Sequence, residues 1–457
     1  MERTENIMGT KPVKSLLIGM AFPIMCSMLV QALYNIVDSV FVAILSENAL
    51  TSVSLIFPIQ NLMIAVAVGT AVGMNALLSR RLGEKNYAAA NRVANNGVFL
   101  AVCSALLFAV IGIFGSKPFM SAFTDNPAIA KDGATYMFIC TVFSLGLFVE
   151  IMLERIVQVT GKTVYQMCSQ MTGAMINIVL DPILIFGLLG APKMGVTGAA
   201  IATVIGQWCG MLLCLVLNLL HNREVRLKWA DMIPHWRTIR GIYQVGLPTI
   251  VMQSIGSVMV FGMNRILIAF TETAVSVFGV YFKLNSFIFM PVFGLTNALI
   301  PIVGYNYGAR NKRRITDATR LSVFIAVGIM LAGTLLFQFA PAQLLSLFSA
   351  SEEMISIGVP ALRIISISFS FAAVAIVFSC MFQALGEGML SLWMSLVRQL
   401  VILLPCAWLL AKWQGLDAVW YSFLIAEFFS LIMAILFFRH TYRTRIVPLD
   451  SPPSNKS

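Results

Sequence analysis

The chain has 457 residues, of which 59% are hydrophobic and only 11% charged, and its mean hydropathy is +0.86. Soluble globular chains carry about 25% charged residues, so a water-soluble fold is excluded and a membrane protein with many spans is expected. The net charge of +11 admits nucleic acid as a partner until the basic residues are located along the chain.

A spanning helix needs about 20 mainly apolar residues. In chain order, apolar stretches predict an all-α integral membrane fold with twelve helices. They lie near 15–44, 51–78, 93–115, 134–158, 165–189, 195–220, 242–270, 275–304, 318–344, 355–383, 389–411 and 415–438. The first fifteen residues, MERTENIMGTKPVKS, are polar and lack a small-residue cleavage pattern, so no signal peptide is expected. The longest polar connector, 221–240, separates an N-terminal lobe (1–220, helices 1–6) from a C-terminal lobe (241–438, helices 7–12). The tail 439–457 is polar and expected to be mobile.

With a cytoplasmic N-terminus, the connectors on that side hold twenty-two Lys and Arg. The opposite connectors hold only Lys117, Lys131, Lys193 and Lys412, and five more (Arg155, Arg265, Lys283, Arg363, Arg398) lie within spans. This asymmetry predicts both termini in the cytoplasm and accounts for most of the net charge without nucleic acid. The eight cysteines all fall in apolar runs without Cys-x-x-Cys spacing and read as small buried hydrophobes. His221, His235 and His440 sit in polar connectors. No His-Glu-x-x-His, Gly-x-Ser-x-Gly or phosphate-cradling Gly-rich loop is present, so neither an enzyme nor a resident cofactor is expected.

The two halves align at an offset of 225 residues. Pro23 meets Pro248, Glu47 meets Glu272, Gly69 meets Gly294, Gly83 meets Gly308 and Asn86 meets Asn311. Gln158 and Gly161 meet Gln383 and Gly386, and after a five-residue slip Gly195 meets Gly415. Six helices per half make this a parallel repeat about an axis normal to the membrane, with a central cavity and lobes that rock in alternating access.

Ionisable residues within spans are costly and point to function. In the first helix Gln31, Asn35 and Asp38 share a face, with Tyr34 adjacent. In the fifth, Gln166, Gln170, Gly173, Asn177 and Asp181 do so, and the sixth adds Thr203 and Gln207. Tyr136 in the fourth adds a hydroxyl. Bundled inward, these residues would form a cation trap in the outer half of the membrane. Two close carboxylates in low dielectric require a shared proton or a Na⁺ between them, and oxygen-only ligands suit a hard cation. Pro182, directly after Asp181, lacks an N–H, so the helix can bend there when the carboxylate changes state.

The second half has Met263 and Cys406 where the first has Asp38 and Asp181, which confines coupling chemistry to the N-terminal lobe. Arg265, Lys283, Arg363, Arg398 and Glu427 are expected mainly to form interior ion pairs. Glu150 and Glu154, one turn apart in the fourth helix, are candidates for binding a cationic substrate. Twenty-six Met and thirty-two Phe suit adaptable cavity walls.

At these residues the sequence resembles the multidrug and toxic compound extrusion (MATE) transporters over about residues 12–438. The resemblance rests on NIVDSVFVA (35–43), RRLGEKNYAAA (80–90), NIVLDP (177–182) and GVTGAAIAT (195–203), together with the 6+6 repeat. It implies two pseudo-symmetric six-helix bundles in a V, acting as a secondary antiporter that exports lipophilic organic cations against inward H⁺ or Na⁺. Carried over by position, the cation-coupling site is Asp38, Asn177, Asp181 and Thr203, which would also ligate Na⁺. Gln31, Asn35, Tyr136, Glu150 and Glu154 are the nearby polar or substrate candidates. The expected setting is a monomer among membrane lipids in a prokaryotic inner or plasma membrane. A lipid-linked precursor flippase of the same superfamily is the alternative.

Overall fold

Backbone in lipid must satisfy its own hydrogen bonds, which leaves helices as the simplest solution. The structure, a computed structural model, describes residues 6–228, 232–348 and 350–450, and no strand occurs among them. A short helix α1 (Ile7–Thr10) precedes α2 (Val13–Leu45), α3 (Glu47–Gly83) and α4 (Tyr87–Phe123). The bent pair α5 (Pro127–Val142) and α6 (Leu145–Val159) follows, then α7 (Thr163–Phe186) and α8 (Val196–His221), completing the N-terminal lobe. The C-terminal lobe holds α9 (Trp236–Leu267), α10 (Glu272–Gly308), α11 (Lys312–Phe339), the short α12 (Pro341–Ser346) and the bent pair α13 (Glu352–Ser366) and α14 (Phe369–Ala384). Next, α15 (Gly388–Leu396) runs through a π-helical stretch, Val397–Leu403, into α16 (Leu404–Gln414), and α17 (Leu416–Val419) leads to α18 (Tyr421–Thr441). With each bent pair taken as one span there are twelve spans among the described residues, as the apolar stretches predict.

The repeat extends to local backbone chemistry. Ser46 and Thr271, 225 apart, cap α3 and α10 by accepting from the N–H of Ala49 and Ala274, each at 3.0 Å. Lys85 (φ 56°) and Arg310 (φ 57°) both take the left-handed conformation that ends those helices. Asn86 and Asn311 then cap the next helix through Ala89 N–H (3.0 Å) and Arg314 N–H (3.2 Å). The bends of 42° and 50° fall within one residue of equivalent positions, at Phe143–Ser144 and Ile367–Ser368, with no proline at either break. The slip in register falls where the N-terminal lobe carries an extra turn, Leu188–Gly190.

The lobes touch at the end that carries the basic connectors, called here the basic end. A Cβ on Gly83 would lie 1.9 Å from the Tyr305 carbonyl oxygen, and one on Gly308 would lie 2.1 Å from that of Arg80. Gly69 abuts Ile250 and Gly246 across the interface, and its repeat partner Gly294 abuts Met25, the repeat partner of Ile250. These backbone contacts join α2 and α3 to α9 and α10, and from them the bundles diverge as a V whose cleft opens at the far end.

Polar clasps reinforce the closed end. Met8 is fully buried, and its carbonyl accepts from Asn306 Nδ2 (3.2 Å) and Arg314 Nη2 (2.8 Å) of the C-terminal lobe. Asn6 Nδ2 donates to Glu224 Oε2 at 2.5 Å, where burial holds that carboxyl above its ordinary range. Three asparagines of α4 fasten the described part of the central connector. Asn91 and Asn95 accept from the N–H groups of Arg226 (2.9 Å) and Lys228 (3.0 Å), and Asn96 accepts from that of His235 (2.8 Å).

Three expectations need correction. The C-terminal segment is helical through Asp450, tied down by Lys312 to Asp450 (2.6 Å) and by Arg445 to Glu387; the rest of the predicted tail, 451–457, lies outside the described residues. Of the five span charges expected to pair in the C-terminal lobe, Arg398 and Glu427 do so (2.5 Å), while Arg265, Lys283 and Arg363 are exposed and make no ion pair among the described residues. Cys103 and Cys168 are also exposed, because a span shows lipid the same apolar side chains that it shows its neighbours.

Overpacking a tight contact costs about 1–3 kcal/mol, so Gly83→Val or Gly308→Val should shift the protein away from the state closed at the basic end. A single cysteine at the fully buried Ser79, in a background without other cysteines, should resist maleimide in the parent and label readily in either variant. Equal protection in all three would show that the lobes do not meet there.

Candidate cation-binding site

Small residues bring the site helices together. Gly173 of α7 meets the Gly206 carbonyl of α8, and Gly206 in turn packs against Asn177 Cβ. The Gly206-x-x-x-Gly210 spacing in the sequence signals such an approach. It brings Asn177 to Thr203 and leaves room beside Gly210 for the Glu150 carboxylate.

Asp181 and Asn177 are buried on one face of α7, one turn apart, and Thr203 of α8 is buried beside them. With its amide oriented so that both atoms find partners, Asn177 donates to Asp181 Oδ2 and accepts from the Thr203 N–H, each at 3.1 Å. Asp38 of α2 lies within hydrogen-bonding reach of Asp181, so the structure assembles all four residues of the predicted coupling set. Pro182 removes the N–H that would bond the Ile178 carbonyl, which loosens α7 immediately after Asp181. Tyr34 lies near Asp38, Asp181 and Glu150. The buried Tyr136 accepts from Gln60 Nε2 at 3.4 Å.

A polar cavity of about 80 Å³ opens beside this cluster, lined among others by Gln31, Tyr34, Glu150, Glu154, Gln170, Asn177, Thr203 and Gln207. Both glutamates are buried. Glu150 Oε1 accepts from Ser169 Oγ at 3.4 Å, and Glu154 Oε2 accepts from Gln170 Nε2 at 3.0 Å. Asp38 Oδ1, Glu154 Oε1, Gln166 Oε1 and Gln170 Oε1 are buried with no donor among the described residues. Unmet acceptors in such a place cost free energy, and the ligand that would complete them carries positive charge or N–H and O–H groups.

Of the predicted candidates, Gln31, Glu150, Glu154, Asn177 and Thr203 line this cavity, whereas Asp38, Asp181, Tyr136 and the exposed Asn35 do not. Ser169, Gln60 and the glycines of α8 are additions that the charge pattern did not reveal. Arg155, next to Glu154, points the other way. It donates through Nη1 to Gln158 Oε1 (3.0 Å) and to Asn297 Oδ1 of α10 (3.1 Å), so the acidic cavity adjoins a hydrogen bond between the lobes. Gln158 Oε1 also accepts from Asn75 at 2.7 Å.

Twelve spans in two repeated lobes, with a polar cavity between helices and the lobes packed backbone to backbone at the basic end, define a membrane transporter. The MatE family model matches residues 23–183 and again 248–409, starting 225 residues apart as the repeat requires. The chain therefore belongs to the MatE family of transporters and is not an enzyme. It is 26% identical over 431 residues to the multidrug export protein MepA of Staphylococcus haemolyticus, with 93% of each chain covered. Among solved structures it resembles an outward-facing multidrug resistance MATE family transporter at a TM-score of 0.90 and 26% identity, covering 99% of this chain and 100% of that one. A MOP superfamily transporter from Pyrococcus furiosus, described as having a reversed pocket polarity that suggests a different function, matches at the same score, identity and coverage.

Gly210→Val should displace the Glu150 carboxylate, because even a Cβ there would stand 2.1 Å from Oε1. Losing a hydrogen bond to a charged group costs about tenfold or more, so the apparent affinity for a transported cation should fall by that order. Gly115→Ala, whose Cβ meets only Ile111 at 3.7 Å, should leave uptake by membrane vesicles unchanged.

Proposed function

We propose that this transporter exports lipophilic organic cations in exchange for inward H⁺ or Na⁺, with the coupling ion held at Asp38, Asn177, Asp181 and Thr203. The observation that carries this reading is the acidic N-terminal cavity, where Glu154 and Gln170 of its lining each bury a side-chain oxygen without a donor, as do Asp38 and Gln166 of the same polar helix faces. A cation or protons would satisfy them. A ligand bearing pyrophosphate would meet carboxylates instead, which disfavours the flippase alternative.

On this reading the basic end faces the cytoplasm, in line with the distribution of Lys and Arg, and the cleft faces outward in a prokaryotic plasma membrane. Ion entry from the outside reaches Asp38 and Asp181 through the open cleft. Two carboxylates within hydrogen-bonding reach cannot both stay charged cheaply in a water-poor cavity, so one proton or a Na⁺ is bound there. Moving one charge down 100 mV supplies about 2.3 kcal/mol. Glu150 and Glu154 lie toward the closed end of the same cavity and suit the positive group of the substrate. Substrate and ion thus compete for one acidic pocket, and binding of the ion releases the drug outward. Arg155 gives the pocket a mechanical link to the other lobe through Asn297, because neutralising Glu154 changes the field on its neighbour.

The test is transport by inside-out vesicles with a pH gradient and a Na⁺ gradient imposed separately. Uptake of ethidium should follow one of them. Asp38→Asn and Asp181→Asn should each abolish the gradient-driven uptake while leaving the protein in the membrane. Normal ethidium uptake in both variants would overturn the coupling assignment, and uptake indifferent to both gradients would overturn antiport.

A further inference from the structure

A groove on the outer surface of the C-terminal lobe stands apart from the transport cavity. Helices α11 and α18 both pack against α14 and leave a trough of about 240 Å³ between them at the basic end. Its floor is Phe378 and Met381 of α14, and its walls include Val323 of α11, Phe438 of α18 and Tyr442 just beyond that helix. Phe378 and Phe438 stack at 4.5 Å, which stiffens the floor against that wall. The rest of the lining is aliphatic or aromatic apart from Thr316 and Thr319, whose hydroxyls donate to carbonyls of their own helix, and one charged residue. Arg320 stands on the α11 wall, exposed, with no carboxylate or hydrogen-bond partner among the described residues.

The depth of that arginine is what matters. α11 has 28 residues, so it is about 42 Å long, against about 30 Å of hydrocarbon. Arg320 lies eight residues from the start of α11, about 12 Å along its axis. It therefore sits just inside the hydrocarbon boundary and faces lipid. A lone cation there is costly and extends its head toward the headgroup layer. The nearest acid along the helix, Asp317, pairs with Arg313 at 3.8 Å. Lys312, which lies over the Tyr442 ring at 5.8 Å, is taken up by Asp450 (2.6 Å), so Arg320 is the unpaired cation of the trough.

We propose that this trough binds an anionic phospholipid of the leaflet at the basic end, with its phosphate on Arg320 and the upper part of one acyl chain against Val323, Phe378, Met381 and Phe438. An arginine fork matches phosphate oxygens, and the apolar trough below it matches a chain and nothing hydrophilic. The charge and the apolar surface are stacked in the order in which a phospholipid presents them.

The test uses the full chain purified in detergent, titrated with phosphatidylglycerol or with phosphatidylcholine of identical chains. Retained lipid is counted by native mass spectrometry. A basic residue near the surface is worth about fivefold in binding an anionic lipid, so the parent should retain phosphatidylglycerol about that much better. Arg320→Gln should bring the two lipids to parity. Arg313→Gln, with its side chain 92% exposed on the same helix, should keep the preference. Val323→Trp should lower retention of both lipids by filling the trough. A preference that survives Arg320→Gln, or that Arg313→Gln abolishes equally, would overturn the site. Loss of the preference on adding inorganic phosphate alone would make it a phosphate site and overturn the lipid assignment.

Discussion

Backbone-to-backbone contact at paired glycines is the constraint on which the rest of this molecule depends. Gly83 and Gly308 each place their Cα where any side chain would strike a carbonyl of the other lobe. Between apolar surfaces in lipid there is little hydrophobic drive, so close packing and hydrogen bonds must hold the lobes together. Concentrating those contacts at one end leaves the other end free to part. The cleft, the access of the cavity to one side and the lever for rocking all follow from that placement.

The same device recurs inside the N-terminal lobe on a smaller scale. Gly173, Gly206 and Gly210 draw α7 and α8 together, and that closeness makes a hydrogen-bonded group of Asn177, Asp181 and Thr203. The second lobe lacks the carboxylates. It carries Arg398 at the repeat position of Gly173 and satisfies it with Glu427. The two halves thus share a frame while one is acidic and unsatisfied and the other internally neutralised. The asymmetry of charge within a symmetric scaffold gives one lobe a chemical task and the other a mechanical one. Arg155 lies on the border between the two, with an acid behind it and the opposite lobe before it.

Much of the site was legible because charge in a span is rare. Asp38 and Asp181 stood out in a chain of 11% charged residues, and helical spacing placed Asn177 beside Asp181. What spacing could not settle was rotation. Asn35 has the right interval and yet does not line the cavity, since a helix face of this width extends past the cavity's edge. The interior basic residues were misjudged for a similar reason: Arg265, Lys283 and Arg363 have long stems that carry the charge to the surface, so a position within an apolar run need not mean a buried charge. The bends at Ser144 and Ser368 left no proline signature, although their near-equivalence under the repeat shows that they belong to the design of each lobe.

By itself the sequence determined the membrane setting, the twelve spans, the doubled plan and the identity of the acidic residues. These depend on composition and on short periodicities, which a linear chain displays directly. Only the tertiary structure decided which end is closed, that the C-terminal segment folds back through Asp450, and that four buried oxygens of the acidic helices are left without donors. Those facts depend on contacts between segments distant in sequence. A glycine reads the same in a chain whether it faces lipid or another backbone, and only the packed structure shows which.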